Sequence, residues 1–105
     1  MHRLVVSYGQ PTDPAEFDRH YRQVHVGLAQ AIPGLRRFTM GHPVAVDPAT
    51  PAPYLVAELD FDSAEALGAG MGSSPGRAAA ADVATFATGG ATMVSYDVED
   101  VSPAG

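Results

Sequence analysis

The chain has 105 residues, 46% of them hydrophobic and 17% charged, which predicts one small domain spanning residues 1–105. Twelve acidic residues against six arginines give a formal net charge of −6, which disfavours binding to nucleic acids and to anionic membrane surfaces. Cysteine, tryptophan, lysine and asparagine are absent, so thiol catalysis, cysteine metal sites, Schiff-base chemistry and a phosphate-loop lysine are excluded.

The N-terminal third of the chain predicts a strand followed by a helix. Residues 4–8 form a β-branched and aromatic run that is typical of a strand. Asp13, Pro14 and Glu16 then match a capping box with proline at the first helical position, so a helix is expected from here to about Ile32, before a Pro-Gly pair. Apolar residues of this helix recur at spacings of four, three and four, which puts them on one face. They are Phe17, Tyr21, Val24 and Leu28.

Two further strands are expected in the middle of the chain. Residues 35–46 predict the second strand, with Phe38 and Met40 on one face, together with His42 if the strand extends that far. Residues 54–61 predict the third strand, in which Tyr54 and Val56 share one face. Because the connection between these strands is short, they are expected to pair as an antiparallel hairpin.

A second helix and a fourth strand are expected in the last third of the chain. The helix begins in a second capping box at residues 62–65 and is weakened by the glycines at alternate positions 68–72. Ser74 and Pro75 are interpreted as a new N-cap and first helical residue, which restart the helix toward Phe86. Residues 91–98 predict the last strand.

The order of the expected elements is β-α-β-β-α-β, which predicts an α+β, ferredoxin-like domain. Its four-stranded antiparallel sheet would carry both helices on one face. The other face would then be uncovered, although both faces of the third strand hold apolar residues. We therefore expect two copies to pair through their sheet faces, with an interior cleft.

Motifs spread over nearly the whole chain carry a family resemblance. They are Pro11, Asp13, Phe17, His20-Tyr21 and His25 with Ile32-Pro33-Gly34-Leu35-Arg36; Ala57-Glu58-Leu59 with Phe61-Asp62-Ser63 and Ala66-Leu67; and Ser74-Pro75-Gly76 with Asp82 and Phe86. This pattern resembles the EthD-like proteins of the dimeric α+β barrel superfamily. The resemblance implies a homodimer with a small-molecule cleft. Relatives in the superfamily include cofactor-free cyclases, isomerases, decarboxylases, dehydratases and monooxygenases, so the resemblance does not settle a reaction.

His20, Tyr21 and His25 are the candidate catalytic residues. On a regular α-helix His20 and His25 lie about 140° apart, at opposite margins of the apolar face, and cannot readily share one metal ion. Tyr21 and His25 are neighbours at i,i+4, where a phenol can orient an imidazole or act with it as donor and base. The resemblance implies a functional histidine at position 25. The alternatives are a structural His25 bonded to a backbone carbonyl, a His20 that caps or packs, and a Tyr21 in the core.

Residues on the strands and at their ends are candidates for substrate binding. They are Tyr8, Phe38, Met40, His42, Tyr54, Glu58 and Tyr96. Glu58 would be a buried, proton-exchanging carboxylate if its face lines the cleft; the alternative is a solvated or dimer-bridging glutamate. Arg3 could bind a substrate carboxylate or lie at the surface.

The residues leave two main functions open. The first is a cofactor-independent acid–base enzyme for a small aromatic or polyketide-like metabolite, acting as a cyclase, dehydratase, decarboxylase or isomerase. The alternative is a non-catalytic accessory protein that binds a hydrophobic small molecule in a degradation or oxygenase pathway; a cofactor-free monooxygenase is a third. No cofactor and no metal ion are expected. The absence of a long apolar run predicts a cytoplasmic protein, and the residue usage is typical of a GC-rich bacterial genome.

Overall fold

The computed structural model describes residues 1–104, whose elements follow one another in the expected order. They are β1 (His2–Tyr8), α1 (Pro14–His20), a π-helical turn (Tyr21–His25), α2 (Val26–Gln30), β2 (Arg37–Gly41), β3 (Leu55–Phe61), α3 (Ala64–Gly72), α4 (Ser74–Phe86) and β4 (Ala91–Asp97). The strands form one antiparallel sheet in the order β2-β3-β1-β4. The α+β, ferredoxin-like fold is confirmed.

The two central strands alternate between a buried face and an open face. In their register Leu4 lies opposite Leu59 and Val6 opposite Ala57, and all four side chains are buried beneath the helices. The residues between them, such as Val5, face the other side of the sheet and are only partly buried. Because the side chains of a strand alternate with a period of two, the helices cover one face of the sheet and leave the other uncovered.

Side-chain caps fix the starts of the helices. The Asp13 carboxylate accepts a hydrogen bond from the Glu16 amide at 3.2 Å, and Ser63 Oγ accepts one from the Ala66 amide at 3.0 Å. The expected cap at Ser74 is wrong by one residue. Ser73 is extended, with ψ of 166°, and its Oγ accepts from the Gly76 amide at 3.1 Å, so Ser74 is already helical.

Two glycines allow α3 and α4 to approach their neighbours closely. A Cβ on Gly70 would lie 2.6 Å from the Pro33 carbonyl oxygen, and one on Gly76 would overlap the Gly70 carbonyl oxygen. Of the three glycines at positions 68–72 that lower helical propensity, Gly70 alone lies where backbones touch. Gly68 has open space around it and carries no such constraint.

The second strand is shorter than the sequence predicts. It ends at Gly41, and the segment up to Leu55 contains prolines at positions 43, 48, 51 and 53, which cannot donate to a sheet. His42 therefore lies beyond the strand and not on its face. Within residues 1–104, no helix has the length and apolar character needed to cross a membrane.

Candidate active site

A π-helical turn brings His20 and His25 to the same side of the first helix. The Val26 amide bonds to the Tyr21 carbonyl, five residues earlier, so residues five apart lie one turn apart. The expected separation of about 140° is wrong because it assumed a regular α-helix throughout. The sequence of this turn contains neither glycine nor proline that would have marked the change.

The carboxylate of Asp82, on α4, lies between the two imidazoles. His20 Nε2 is 2.9 and 3.0 Å from the two carboxylate oxygens of Asp82, and His25 Nδ1 is 3.0 Å from Oδ2. The Thr85 hydroxyl lies 3.1 Å from Oδ1 and 2.7 Å from the Asp82 carbonyl oxygen. A single carboxylate therefore orients both histidines, and within residues 1–104 His25 is bonded to this carboxylate and not, as the structural alternative supposed, to a backbone carbonyl.

Burial and hydrogen bonding set the protonation of this cluster. Burial raises the pKa of Asp82, but hydrogen bonds from His20, His25 and Thr85 outweigh burial and hold the pKa below its usual value of 3.8. Burial lowers the pKa of His25 below 6.5, against the opposing effect of Asp82. Asp82 is thus ionised and His25 neutral near pH 7. Because an ionised carboxylate only accepts, the proton of His25 is on Nδ1 and Nε2 has the free lone pair.

His25 and Tyr21 line an apolar cavity of about 30 Å³ between the helices and the sheet. Its floor comes from the central strands, and its walls include Phe38, Met71 and Met93. Tyr21 is 1% exposed, and its hydroxyl has no hydrogen-bond partner among residues 1–104. Burial raises the pKa of Tyr21, so the hydroxyl keeps its proton and can act as a donor. An unpaired buried hydroxyl at a cavity wall is suited to a ligand oxygen or a water molecule.

Aromatic packing holds the two histidines in place. The Phe86 ring lies 5.1 Å from the His20 ring and 4.9 Å from the His25 ring, measured between centroids. The Tyr21 and His25 rings lie 5.3 Å apart, so the expected neighbour relation between them holds. The imidazoles are thus fixed both by a carboxylate and by ring packing.

Three of the binding candidates lie on the helix-facing side of the sheet. Phe38 lines the cavity, and Met40 follows it on the same face of β2. Tyr8 is 1% exposed and packs in the core, 5.8 Å from the Tyr21 ring and 5.4 Å from the Phe17 ring. It does not line the cavity, so its environment is that of a core residue.

Glu58 and Tyr96 lie on the open face of the sheet, away from the histidines. Glu58 Oε2 is 3.1 Å from Arg3 Nη1, and Arg3 also donates to Asp60 at 2.7 and 3.1 Å. Glu58 is therefore an ion-pair residue of that face, and Arg3 is already bound to two carboxylates. Strand alternation separates both candidates from His25, so these residues do not form one site.

His42 and Tyr54 meet at the edge of the molecule. His42 Nδ1 lies 2.8 Å from the Tyr54 carbonyl oxygen, and the Tyr54 hydroxyl donates to Asp18 at 2.8 Å. Tyr54 precedes β3 and packs on Phe17, with ring centroids 5.1 Å apart. The expectation that Tyr54 and Val56 share a face is wrong because Tyr54 is outside the strand.

Asp82 is the site residue for which sequence reasoning gave no role. It lies on the same side of α4 as Ala79, Val83 and Phe86, which face the core. The signal in the sequence that could have identified Asp82 is its position as an acidic residue on an otherwise apolar helix face. Within residues 1–104, no group of three or more histidine, aspartate or glutamate side chains is arranged to hold a metal ion.

Comparisons with known proteins identify relatives over almost the full chain. The model of the EthD domain family matches residues 9–90. A Rhodococcus erythropolis protein, described as an uncharacterized 11.0 kDa protein in the thcB–thcC intergenic region, is 45% identical over 103 residues, which cover 98% of this chain and 100% of the relative.

Two solved structures are also similar to this chain over most of its length. A Bacillus halodurans protein of the ethyl tert-butyl ether D (EthD) family is 32% identical, with a TM-score of 0.86 over 94% of this chain and 99% of that one. A Thermobifida fusca protein, described as a dimeric ferredoxin-like protein of unknown function, is 17% identical, with a TM-score of 0.70 over 92% of this chain and 90% of that one. The second likeness shows the fold alone.

Proposed function

Since the chain belongs to the EthD family, we propose that it is a cofactor-independent acid–base enzyme for a small aromatic or polyketide-like metabolite. Its reaction class is cyclisation, dehydration, decarboxylation or isomerisation. One observation carries the proposal: a neutral His25, held by Asp82, lines the same cavity as Tyr21, whose hydroxyl has no hydrogen-bond partner within residues 1–104.

The two groups have complementary roles in such a reaction. His25 Nε2 removes a proton from carbon or from a phenol, and Asp82 stabilises the imidazolium that results. Tyr21 donates a hydrogen bond to the oxygen on which negative charge develops as the enolate or phenolate forms. The apolar walls exclude water and so strengthen both interactions.

His20 acts in this proposal as a positioning residue. Its side chain is 20% exposed, against 8% for His25, and it does not line the cavity. By binding both oxygens of Asp82 it fixes the carboxylate that orients His25.

The cavity must widen to admit an aromatic ring. A volume of about 30 Å³ holds little more than one water molecule. Phe38, Met71 and Met93 are partly exposed side chains in its wall, and methionines repack at low cost. We expect ligand binding to displace these side chains.

We also propose that the protein forms a homodimer through the open face of the sheet. Val94 is 63% and Tyr96 46% exposed on this face, although both belong to a strand of the sheet. Pairing with a second copy would remove this apolar surface from water. The Thermobifida fusca protein of the same fold is described as dimeric, which agrees with the pairing of two copies but does not specify the face.

Deuterium exchange into an aromatic ketone tests the acid–base function. We expect the protein to accelerate exchange of the C2 hydrogens of α-tetralone in D₂O, followed by NMR. The His25→Ala variant should lose about 100-fold of this acceleration. The His2→Gln variant is the control, because His2 pairs with Asp97 and does not line the cavity.

The same experiment distinguishes the accessory-protein alternative. If α-tetralone binds without exchange, and if His25→Ala leaves its affinity unchanged, the protein binds and does not catalyse. If exchange is accelerated equally by wild type and His25→Ala, His25 is not the base.

A further inference from the structure

A second concavity adjoins the cavity that contains His25. It is a groove of about 240 Å³ between the first helix and the edge strand β2. Its lining residues are Arg22, Val26, Gln30, Phe38, Thr39 and Met40. Phe38 lines both spaces, so its ring stands between the groove and the cavity.

Arg22 gives this groove a positive charge that has no ion-pair partner among residues 1–104. Within the described part of the chain, three of the six arginines form ion pairs, namely Arg3, Arg19 and Arg36. No carboxylate oxygen of residues 1–104 lies within 4 Å of the Arg22 guanidinium, although the chain has a net charge of −6. A free guanidinium beside apolar side chains is suited to bind an anion in a planar, two-bonded geometry.

The groove is also connected electrostatically to the cavity. The positive charge of Arg22 acts on the Tyr21 hydroxyl and partly offsets the effect of burial, which raises the Tyr21 pKa. Gln30, two turns further along the helix, lines the same groove, and its side-chain amide is able to donate hydrogen bonds. The polar groups of the two spaces therefore differ: a neutral donor and a base in the cavity, and a cation with an amide in the groove.

We infer that the groove binds a carboxylate carried by the substrate, through Arg22 and Gln30, while the oxygenated ring of the substrate occupies the cavity beyond Phe38. This inference rests on the proposed function and narrows its substrate class to aromatic or polyketide-like carboxylic acids. Arg22 is then a specificity-determining residue, since a neutral analogue would leave its charge without a partner.

A matched pair of probes tests the inference. The acid 6-hydroxy-2-naphthoate and its methyl ester share one ring system and differ in charge. We expect wild-type protein to bind the acid about fivefold more tightly than the ester in calorimetry, with a preference that falls as salt is added. Arg22→Gln should abolish the preference and leave ester binding unchanged. Arg77→Gln is the control, because the Arg77 side chain donates a hydrogen bond to the backbone carbonyl of Gly72 and lies outside the groove.

The outcomes separate this inference from the proposed function. Equal binding of acid and ester, or an equal loss of preference in Arg77→Gln and Arg22→Gln, would overturn the role of Arg22. The imidazole NMR signals of His25 report on the cavity in the same samples. If the ester shifts them and no charge preference exists, only the groove inference fails. If neither probe binds at millimolar concentration, or if bound ester leaves His25 unshifted, the groove inference fails, while the acid–base function is decided separately by the exchange of α-tetralone.

Discussion

The side chains of His25 and Asp82 meet through a 3.0 Å hydrogen bond between Nδ1 and Oδ2, although 57 residues separate them in the chain. The contact joins the π-helical turn to α4, and the same carboxylate also binds His20. It fixes the tautomer of His25 and so determines which nitrogen is available to a ligand. The protonation, stability and chemistry of the site all depend on it.

Replacing Asp82 by asparagine should remove the charge that holds both histidines and leave one acceptor oxygen for the two imidazoles. We expect Asp82→Asn to lower the free energy of unfolding by about 2 kcal/mol, because charge-assisted hydrogen bonds to a largely buried carboxylate are lost. Chemical denaturation measures the change, and nitrogen-15 NMR shows whether His25 loses its preference for the Nδ1 proton. Asp62→Asn is the matched control, since Asp62 pairs with Arg36 at the surface and should matter little. Equal stabilities of the two variants would contradict a structural role for the cluster.

The stability of the protein should fall as pH drops below about 6.5. Burial lowers the pKa of His25 in the folded state, so between 6.5 and the folded value the unfolded chain binds more protons. Stability from this group is therefore complete above 6.5 and is lost toward acid pH, by at most about 1.4 kcal/mol per pH unit. The lowered pKa of Asp82 adds a further loss below 3.8.

Comparison with His25→Gln isolates this effect. Denaturation midpoints of wild type and variant should converge as pH is lowered from 7 to 5, because only the wild type has the His25 imidazole to protonate. Parallel pH profiles would mean that His25 does not titrate differently on folding.

Removing the Tyr21 hydroxyl should improve stability and impair function. The hydroxyl is buried without a partner in residues 1–104, so Tyr21→Phe should raise the free energy of unfolding by about 1 kcal/mol. Deuterium exchange into α-tetralone should slow, because the developing enolate loses its donor. Tyr54→Phe is the control. It loses the hydrogen bond to Asp18, so we expect it to be less stable than the wild type but to catalyse deuterium exchange into α-tetralone at the same rate. Faster or equal exchange in Tyr21→Phe would exclude the donor role.

A charge on the open sheet face should prevent dimerisation. We expect Val94→Glu to shift the protein from the mass of two chains to that of one in light scattering, because a carboxylate would be desolvated in the interface. Val46→Glu introduces the same change on the fully exposed loop between β2 and β3 and should remain dimeric. A wild-type protein that has the mass of one chain would contradict the dimer directly.

Local sequence signals predicted the fold well where the structure depends on near neighbours. Asp13 caps α1 through a contact three residues away, and the alternation of residues 55–61 fixes both faces of β3. Ser73 takes the cap assigned to Ser74, since both are serines before a proline and spacing alone does not separate them.

The candidate site could be predicted only in part. His25 and Tyr21 were identified from their spacing and from the family resemblance, but the role of Asp82 depends on contacts 57 and 62 residues away in the chain. The π-helical turn also depends on contacts with residues that are distant in the chain. Nothing in residues 21–25 favours it locally, and its histidine packs on Phe86 and bonds to Asp82 of α4.

The side chains of β1 alternate between two sides of the sheet, so this one strand borders both the cavity that contains His25 and the proposed dimer interface. Leu4 and Val6 form part of the floor of the cavity, while Val5 points to the face that a second copy would cover. Since successive side chains are joined by a single backbone, β1 cannot shift against a partner subunit without moving the floor beneath His25. Two chains paired in this way would each present the reverse side of their cavity floor to the partner.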